Sequence, residues 1–544
     1  MPAFAPITMP HRRLILALLL CLLVSCGGGS NGPSGPQAFK LDPARTMDDI
    51  TTLASSAFEG RQGGLPGAEK AVELVIRRFQ QLGLQPAASA NGFLQSFPLV
   101  VWNQTTPTVF SIGGTAMTEG VDYMLLMYTD PVSVKGELVF AGYGITVPPF
   151  SKEVHPKCPL AASGYDDYAG IDVTDKVVVV FGGSPGNDSY ECPAALAGQS
   201  GTALNSETLS YKRDNARAHG AKALVYLTHY SSPQSIIMFG YAANEKSNIA
   251  TLETDRDALS RFLPDLKPWL QQIDTTHRPA SRMTGLQTNV EAGSYRAKGF
   301  ASNVIGVIPG NDPKLRDEVV IIGAHLDHMG KRPNGDLYAG ADDNASGLSV
   351  MLELARAAKE SGLKPARTLM FAAYNAEELG LFGSCYYVNT QPLYPLASTK
   401  VMISVDMLGL GKGTGLDLYG TTDKDKSWIA KVMAGSSAAM GMSYTITSID
   451  PFLASDHACF AEAGIPAVMA FAPTFADHNT YHTPKDTAAA INTAALKSSL
   501  DLMWAFIIPV AQGTEARFQS AGTSIAPGKL DELRVKSHPL FMGR

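Results

Sequence analysis

The sequence has 544 residues, of which 45% are hydrophobic and 17% charged, and its formal net charge is −6. This length is sufficient for two or more domains, since single domains usually contain ~100–200 residues. The mild negative charge and the lack of a basic run disfavour a nucleic-acid partner.

The N-terminal segment is typical of an export signal. A histidine and two arginines at residues 11–13 precede an apolar run that is too short to span a bilayer. The run ends in LVSC at residues 23–26, which resembles a bacterial lipobox. This resemblance implies a lipoprotein signal peptide over residues 1–25 and a lipid anchor on Cys26 that attaches the protein to a membrane. A plain signal peptide cleaved nearby is the alternative, and both predict an exported protein of the bacterial cell envelope, facing the periplasm or the cell surface.

The folded part is predicted to begin after a Gly/Ser/Pro-rich tether at residues 26–37. Residues 38–130 are interpreted as the first part of the main domain. Within them, GAEKAVELVIRRFQQLG has apolar side chains at helical spacing and ends at Gly83, a common helix stop. The preceding FEGRQGGLPG is predicted to be a glycine-rich turn.

Residues 131–285 differ from the neighbouring segments in their sequence pattern and are predicted to be a separate, inserted module. GELVFAGYGI, KVVVVFGG and ALVYLTH are short β-rich runs, separated by long loops rich in Gly, Pro and Ser. The segment contains no evident cluster of metal-binding or nucleophilic residues, so we interpret it as non-catalytic. Cys158 and Cys192 lie in its loops and are a plausible disulfide pair, whereas Cys385 and Cys459, further along the chain, are equally compatible with free thiols.

Residues 286–515 follow a strand–loop–helix pattern, and residues 516–544 are interpreted as a tail. The apolar runs VVIIGAH, TLMFAAYN, KVMISVDML and PAVMAFAP predict strands, and NASGLSVMLELARAAKE and TAALKSSLDLMWAFII predict helices. Continuous apolar strands that alternate with helices indicate a sheet buried on both faces. The predicted fold class is therefore α/β, with a mixed, mostly parallel sheet between helices and an inserted β-rich module.

Acids and histidines follow the predicted strands closely. They are His325 and Asp327 after the first strand, Asp342 and Asp343 in GADDNASG, Glu377 and Glu378 after the second, Asp406 after the third, and His478 and His482 after the fourth. Ligands of such folds bind beyond the carboxyl ends of the strands. We therefore expect these side chains to meet at one edge of the sheet and to form a functional site.

The residue types at this edge suit a pair of zinc ions. Zinc binds imidazole nitrogen and carboxylate oxygen, and two neighbouring ions need about five protein ligands, one of them a bridging carboxylate. Adjacent residues of an extended chain point in opposite directions. We therefore expect Glu377 and Glu378 to have different roles, with one residue binding metal and the other acting on water.

Other histidines are interpreted as structural. His328 and His457 are predicted to be wet loop residues. His478 and His482 are four residues apart, but Asn479 and Pro484 favour a loop over a helical metal pair. No HExxH motif is present, so a single-zinc protease interpretation lacks support.

Five segments, in this order, resemble the signatures of the co-catalytic di-zinc exopeptidases: GAHLDH, GADDNASG, NAEELGLFGS, SVDMLG and YHTPKDT. That family includes secreted bacterial aminopeptidases and glutamate carboxypeptidases, with glutaminyl cyclases as relatives. FEGRQGGLPG and its helix resemble the family's N-terminal segment, and residues 131–285 resemble a protease-associated (PA) domain. The resemblance implies two zinc ions per chain. It implies that His325 and Asp406 bind one zinc, Glu378 and His482 bind the other, and Asp343 bridges them, with Asp342 as the rival for the bridge.

The resemblance also implies catalytic roles. Glu377 would be the general base that takes a proton from a metal-bridging water and passes it to the leaving amine. Asp327 would accept the second N–H of the His325 ring. Tyr481 resembles a tyrosine that donates to the developing oxyanion in some members.

The resemblance implies a zinc-dependent exopeptidase with peptide substrates, foremost an aminopeptidase. A glutamate-type carboxypeptidase, a glutaminyl cyclase relative and a catalytically dead binding protein are the alternatives. A carboxypeptidase requires arginines for the substrate carboxylate, and the motif segments show none beside the ligands. The sequence predicts neither an oligomeric state nor a side-chain preference.

Overall fold

The structure, a computed structural model, describes residues 40–87, 91–104, 106–125, 131–156, 158, 160–185, 209–227, 249–254, 256–519 and 526–527. The predicted signal peptide, the tether with Cys26, and Cys192 lie outside the described residues.

Helices and strands within the described residues are as follows. The helices are α1 Pro43–Leu53, α2 Pro66–Leu82, α3 Leu209–Ala218, α4 Arg256–Ser260, α5 Leu266–Thr276, α6 Gly347–Glu360, α7 Phe382–Asn389, α8 Ser427–Ala439, α9 His457–Glu462 and α10 Thr493–Ala511. The first twelve strands are β1 Gln85–Pro86, β2 Leu94–Gln104, β3 Val109–Ile112, β4 Thr115–Ala116, β5 Tyr123–Leu125, β6 Val132–Phe140, β7 Thr146–Val147, β8 Tyr165–Asp166, β9 Val177–Phe181, β10 Ala223–Leu227, β11 Ala250–Thr254 and β12 Arg282–Ala292. The others are β13 Ser294–Ile308, β14 Val319–His325, β15 Gly330–Lys331, β16 Leu337–Tyr338, β17 Thr368–Tyr374, β18 Thr399–Val405, β19 Gly415–Tyr419, β20 Thr445–Ile449, β21 Ala467–Phe471 and β22 Ala526–Pro527.

The main sheet has the strand order β1-β13-β17-β14-β18-β21-β19-β20-β22, and β2 also pairs with β13. Its centre is parallel, because β14 pairs in parallel with β17 and β18, and β18 pairs in parallel with β21. Every residue of β14 and β17 is buried. The mixed α/β fold with a mostly parallel central sheet is confirmed, and the carboxyl ends of four central strands meet at one edge.

A second, β-rich sheet has the order β4-β3-β12-β6-β9-β10-β11-β5 and its own hydrophobic core. It extends beyond the predicted insert of residues 131–285, because β3 pairs with β12 and β5 pairs with β11. The chain leaves the main sheet after Gln104 and returns at Ser294, and these two residues face each other in the β2–β13 ladder. The strands of the second sheet that the structure describes therefore all lie between Gln104 and Ser294. The β-rich runs in the sequence predicted the middle of this sheet, whereas its outer strands are known from the strand pairing in the structure.

Helices cover the main sheet and complete its core. α2 ends as predicted, with Gly83 at φ 66°, a left-handed conformation that glycine adopts without strain. α10 is long and apolar enough to cross a membrane, but 83% of its most apolar stretch is buried inside the fold. Its side chains pack in the same core as α6 and β14, so we assign it to the core.

A disulfide joins Cys385 in α7 to Cys459 in α9, with the two Cα atoms 5.2 Å apart. The sequence was equally compatible with free thiols at Cys385 and Cys459. The bond links two segments that are 74 residues apart in the sequence, beside the turn that follows β17.

Candidate metal centre

The site lies where the four parallel strands of the main sheet end. His325 is the last residue of β14, and Asp406 directly follows β18. Glu377 and Glu378 lie in the turn after β17, and His482 lies in the loop after β21. Because parallel strands place their carboxyl ends at one edge, residues far apart in the sequence come together here.

One group, the first ligand set, consists of His325, Asp343 and Asp406. The Nε2 atom of His325 lies 3.2 Å from Oδ1 of Asp343 and 3.4 Å from Oδ1 of Asp406. All three side chains are almost completely buried. They have the composition of a metal site, with one imidazole and two carboxylates.

The second ligand set consists of Asp343, Glu378 and His482. The Nε2 atom of His482 lies 3.0 Å from Oδ2 of Asp343 and 3.1 Å from Oε2 of Glu378. Asp343 therefore faces the first set with one carboxylate oxygen and the second set with the other. This is the arrangement that a carboxylate bridging two cations requires.

The distances between these atoms fit zinc. Ligands bound to a tetrahedral zinc ion at ~2.0–2.1 Å lie ~3.3 Å from one another. The four nitrogen–oxygen distances in the two sets range from 3.0 to 3.4 Å. The sets also place several carboxylates in a buried region, where like charges are costly unless cations compensate them. Donor types, spacing and charge therefore all fit two zinc ions.

Asp342, the rival for the bridge, points away from both ligand sets. Its Oδ2 atom lies 2.5 Å from Nδ1 of His478, and its Oδ1 atom accepts the backbone N–H of Gly409 at 2.8 Å. As predicted, His478 lies in a loop, but it is buried and binds Asp342. These contacts leave Asp343 as the carboxylate between the two sets.

Asp486, which sequence reasoning missed, fixes the turn that carries Asp343. Its two carboxylate oxygens accept the backbone N–H groups of Asp342 at 2.8 Å and of Asp343 at 3.0 Å. The loop that supplies His482 to the second set therefore also positions the bridging residue. The only sequence signal was that Asp486 falls within YHTPKDT.

Asp327 does not have the predicted contact. Its Oδ1 atom is 4.0 Å from Nδ1 of His325, and that nitrogen lies 3.2 Å from the main-chain carbonyl oxygen of Asp327 instead. The Asp327 carboxylate accepts the backbone N–H groups of Glu377 and Glu378. The expectation that Asp327 holds the His325 ring with its side chain is wrong, because the turn after β17 comes close enough to occupy both oxygens.

Glu377 and Tyr481 border the ligands without completing either set. Burial, together with the neighbouring carboxylates, raises the pKa of Glu377 well above its ordinary value. The Tyr481 ring stacks on the His482 ring, with centroids 3.8 Å apart. Burial and the same carboxylates raise the pKa of the Tyr481 phenol well above its ordinary range, so the phenol keeps its proton.

The predictions for His328 and His457 as wet loop residues are wrong. Both side chains are buried, with relative exposures of 0% and 1%. His328 lies against the second ligand set, with its Nδ1 atom 2.6 Å from Oε1 of Glu378. His457 is the first residue of α9, and the sequence context of the two histidines does not indicate their burial.

Arg61, in the FEGRQGGLPG segment, is a completely buried cation that sequence reasoning also missed. Its guanidinium donates to four carbonyl oxygens, those of Leu326, Leu53, Ala339 and Gly340, at 2.7 to 3.0 Å. It therefore ties the loop after His325 to the loop before Asp342. Burial lowers the pKa of Arg61 to about 10, and nearby carboxylates oppose this shift, so it is charged at neutral pH.

Comparisons with known proteins agree with this geometry. Residues 303–507 match the model of Peptidase family M28. The chain is 29% identical over 311 residues to aminopeptidase YwaD of Bacillus subtilis (strain 168), a match covering 55% of this chain and 64% of that protein. It is 32% identical over 250 residues to leupeptin-inactivating enzyme 1 of Streptomyces exfoliatus, covering 42% of this chain and 52% of that enzyme. The solved structure of BSAP, a zinc aminopeptidase from Bacillus subtilis, aligns with a TM-score of 0.59 at 19% identity, covering 88% of this chain and 97% of that one.

These matches differ in what they establish. The chain spans a little under two-thirds of the first curated relative and about half of the second. The likeness to the solved structure shows that the fold is shared across most of the chain. The family match covers both ligand sets and Glu377. Residues 303–507, which carry the candidate metal centre, are therefore similar to peptidase family M28.

Proposed function

We propose that this protein is a zinc-dependent aminopeptidase that uses two zinc ions to hydrolyse the N-terminal residue of peptides. The observation that carries the proposal is the shared Asp343, whose two oxygens face two separate sets of histidine and carboxylate ligands. Aminopeptidases among the similar proteins support the same activity. When bound, the two zinc ions would supply Lewis-acid chemistry to the substrate carbonyl and to water.

The residues beside the ligands suit peptide hydrolysis. Glu377 is a buried carboxylate that neither ligand set uses, and its ligand atom lies within 4.8 Å of those of His325 and Glu378. We therefore assign it the role of the base that removes a proton from water and returns it to the leaving nitrogen. Tyr481 retains its phenolic proton and lies next to His482, so it can donate to an oxygen that gains negative charge. Asp327 holds the backbone of the turn that carries Glu377.

An apolar surface beside the site favours substrates whose N-terminal residue has an apolar side chain. Met407, which directly follows Asp406, belongs to a hydrophobic cluster with the partly exposed aromatic residues Phe452, Phe475 and Tyr481. A substrate side chain that leaves water to contact these rings gains ~25 cal/mol per Å² of buried apolar area. We therefore expect faster turnover of substrates with large apolar N-terminal residues.

The contacts of Arg61 weigh against a glutamate-type carboxypeptidase. A carboxypeptidase needs a guanidinium or ammonium group for the terminal carboxylate of its substrate. Arg61 interacts electrostatically with the site carboxylates, but its donors are occupied by backbone carbonyl oxygens. The acidic site favours an α-amino group instead.

The proposal extends to the parts of the chain around the catalytic domain. The lipobox-like residues 23–26 support export and a lipid anchor on Cys26 in the bacterial cell envelope. The second sheet, at residues 105–293, has the place and β-rich character of a PA domain. Its residue Met124 contacts Tyr338, since Sδ lies 3.4 Å from the phenol oxygen, and this contact is near the loop that leads to Asp343. The insert is therefore well placed to influence substrate choice.

A metal analysis combined with a substrate screen tests the proposal. The purified protein is expected to bind about two zinc equivalents and to hydrolyse aminoacyl amides in preference to peptides with a C-terminal glutamate. A protein with full activity at one zinc equivalent would contradict the two-metal site. Release of C-terminal glutamate or cyclisation of N-terminal glutamine, without aminopeptidase activity, would favour the carboxypeptidase or cyclase alternatives, and zinc binding without turnover would favour a binding protein.

A further inference from the structure

We infer that His328 is a positioning residue for the second zinc site, because it holds one oxygen of Glu378 and so directs the other oxygen to the metal. This inference rests on the proposed zinc site. The Nδ1 atom of His328 lies 2.6 Å from Oε1 of Glu378. The other oxygen, Oε2, lies 3.1 Å from Nε2 of His482. The two oxygens of one carboxylate thus face different partners.

The geometry identifies this contact as a hydrogen bond and not as a pair of metal ligands. Two ligands of a tetrahedral zinc ion lie ~3.3 Å apart, whereas hydrogen bonds to a carboxylate are shorter, at ~2.7–2.9 Å for nitrogen donors. The distance of 2.6 Å between Nδ1 of His328 and Oε1 of Glu378 therefore fits a hydrogen bond and not two ligands of one zinc ion. The same Nδ1 atom is 3.8 Å from Oδ2 of Asp343, which is further than a shared metal would place it. Since the carboxylate has no proton to give when it binds a cation, Nδ1 of His328 is the donor.

The surroundings of His328 hold its ring in place. Its backbone N–H donates to the carbonyl oxygen of Arg61 at 3.1 Å. Its ring lies against Gly340, where a Cβ atom would come within 2.5 Å of Cγ and Cδ2 of the histidine. The ring also packs edge-on against the His482 ring, with centroids 5.7 Å apart. A donor held this firmly can orient Glu378 at low cost in conformational entropy.

The expected consequence is a difference in metal affinity and coordination. A carboxylate without the His328 contact is free to rotate or to bind a cation through both oxygens. Hydrogen-bond partners of metal ligands are typically worth ~10–100-fold in metal affinity or activity. We therefore expect His328 to strengthen the second site and to keep Glu378 bound through Oε2 alone.

A matched pair of variants separates the hydrogen bond from packing. Asparagine and leucine have nearly the same branched shape, but only asparagine carries a donor nitrogen on Cγ, where histidine carries Nδ1. The full chain with His328→Asn, with His328→Leu and without substitution is titrated with zinc against a chelating indicator. The same three proteins are then loaded with cobalt, and the visible absorption of the second site reports its coordination number.

We expect the unsubstituted protein to bind two zinc ions and His328→Leu to lose ~10–100-fold in affinity at one of the two sites. His328→Asn should recover most of this loss and should keep the cobalt spectrum of the unsubstituted protein. Unchanged affinity and spectrum in His328→Leu would overturn the inference. An equal loss of one site in both variants would also overturn it, because it would indicate that the ring itself binds the metal or supports the fold. If the unsubstituted protein bound no zinc, the proposed function would fail instead.

Discussion

The carboxylate of Asp327 lies 3.1 Å from the backbone nitrogen of Glu377 and accepts its N–H group. Its second oxygen accepts the N–H group of Glu378 at 3.3 Å. One buried side chain from the loop after β14 therefore fixes the turn after β17. The relative position of the proposed base and of a proposed metal ligand depends on this contact.

Asp327→Asn should reduce turnover more than it reduces zinc binding. The amide has only one acceptor oxygen, so one of the two N–H groups is left facing an N–H₂ group, and the turn carrying Glu377 shifts. We expect kcat to fall by ~10–100-fold, as is typical when such supporting contacts are lost. Both zinc ions should remain bound, because the main-chain carbonyl of Asp327 holds the His325 ring. Loss of zinc from the first ligand set would instead favour a direct side-chain role at His325.

Glu377→Gln and Glu378→Gln should have different effects. Glu377→Gln removes the base and should lower kcat by ~10²–10⁴-fold with little change in KM. It should retain two zinc ions, because Glu377 belongs to neither ligand set. Glu378→Gln should instead weaken zinc binding at the second set. Zinc content and steady-state kinetics of both variants check this assignment, and exchanged phenotypes would mean that base and ligand are reversed.

Arg61→Lys should destabilise the protein although the charge is kept. A lysine ammonium cannot reach the four carbonyl oxygens that the guanidinium binds, and each buried carbonyl left without a partner costs about 1–3 kcal/mol. We expect a lower free energy of unfolding in urea for the zinc-free protein. Arg77→Lys on α2 is the control, because its side chain is 58% exposed and should change stability little. Equal stability of both variants would show that the Arg61 contacts contribute little.

Replacing residues 105–293 by an Asn-Gly turn should preserve zinc binding and alter substrate choice. Gln104 and Ser294 are cross-strand partners, so a two-residue hairpin turn can join them. The two ligand sets lie outside the removed segment. Zinc stoichiometry should remain at two, while KM or selectivity among aminoacyl substrates should change because the contact between Met124 and Tyr338 is lost. A folded variant without zinc would show that the insert supplies ligands.

Cys26→Ser should release the protein from membranes or block its maturation. The serine hydroxyl cannot replace the thiol that accepts the lipid in a lipobox. Cell fractionation and metabolic labelling with a fatty acid check this outcome. A variant that is processed and remains with the membrane like the parent protein would show that residues 23–26 do not form a lipobox.

The sequence by itself determined the class of fold and the types of residue at the site. Strands buried on both faces read as continuous apolar runs, and a helix such as α2 shows its buried face through its spacing, so both are local properties of the chain. The acids and histidines were visible because each follows a strand within a few residues. Their convergence could be predicted from the rule that parallel strands place their carboxyl ends at one edge.

The tertiary structure decided which side chains contact one another. Asp342 and Asp343 are neighbours in the sequence, but Asp342 contacts His478, whereas Asp343 lies between His325 and His482. The same holds for His328, whose partner Glu378 lies 50 residues away, and for Arg61, three of whose four carbonyl partners lie more than 250 residues away. Burial and hydrogen bonding at such positions depend on loops that pack together only in the folded chain. The local composition does not predict this burial and hydrogen bonding, because a polar residue in a loop has the same sequence context whether it faces water or another buried group.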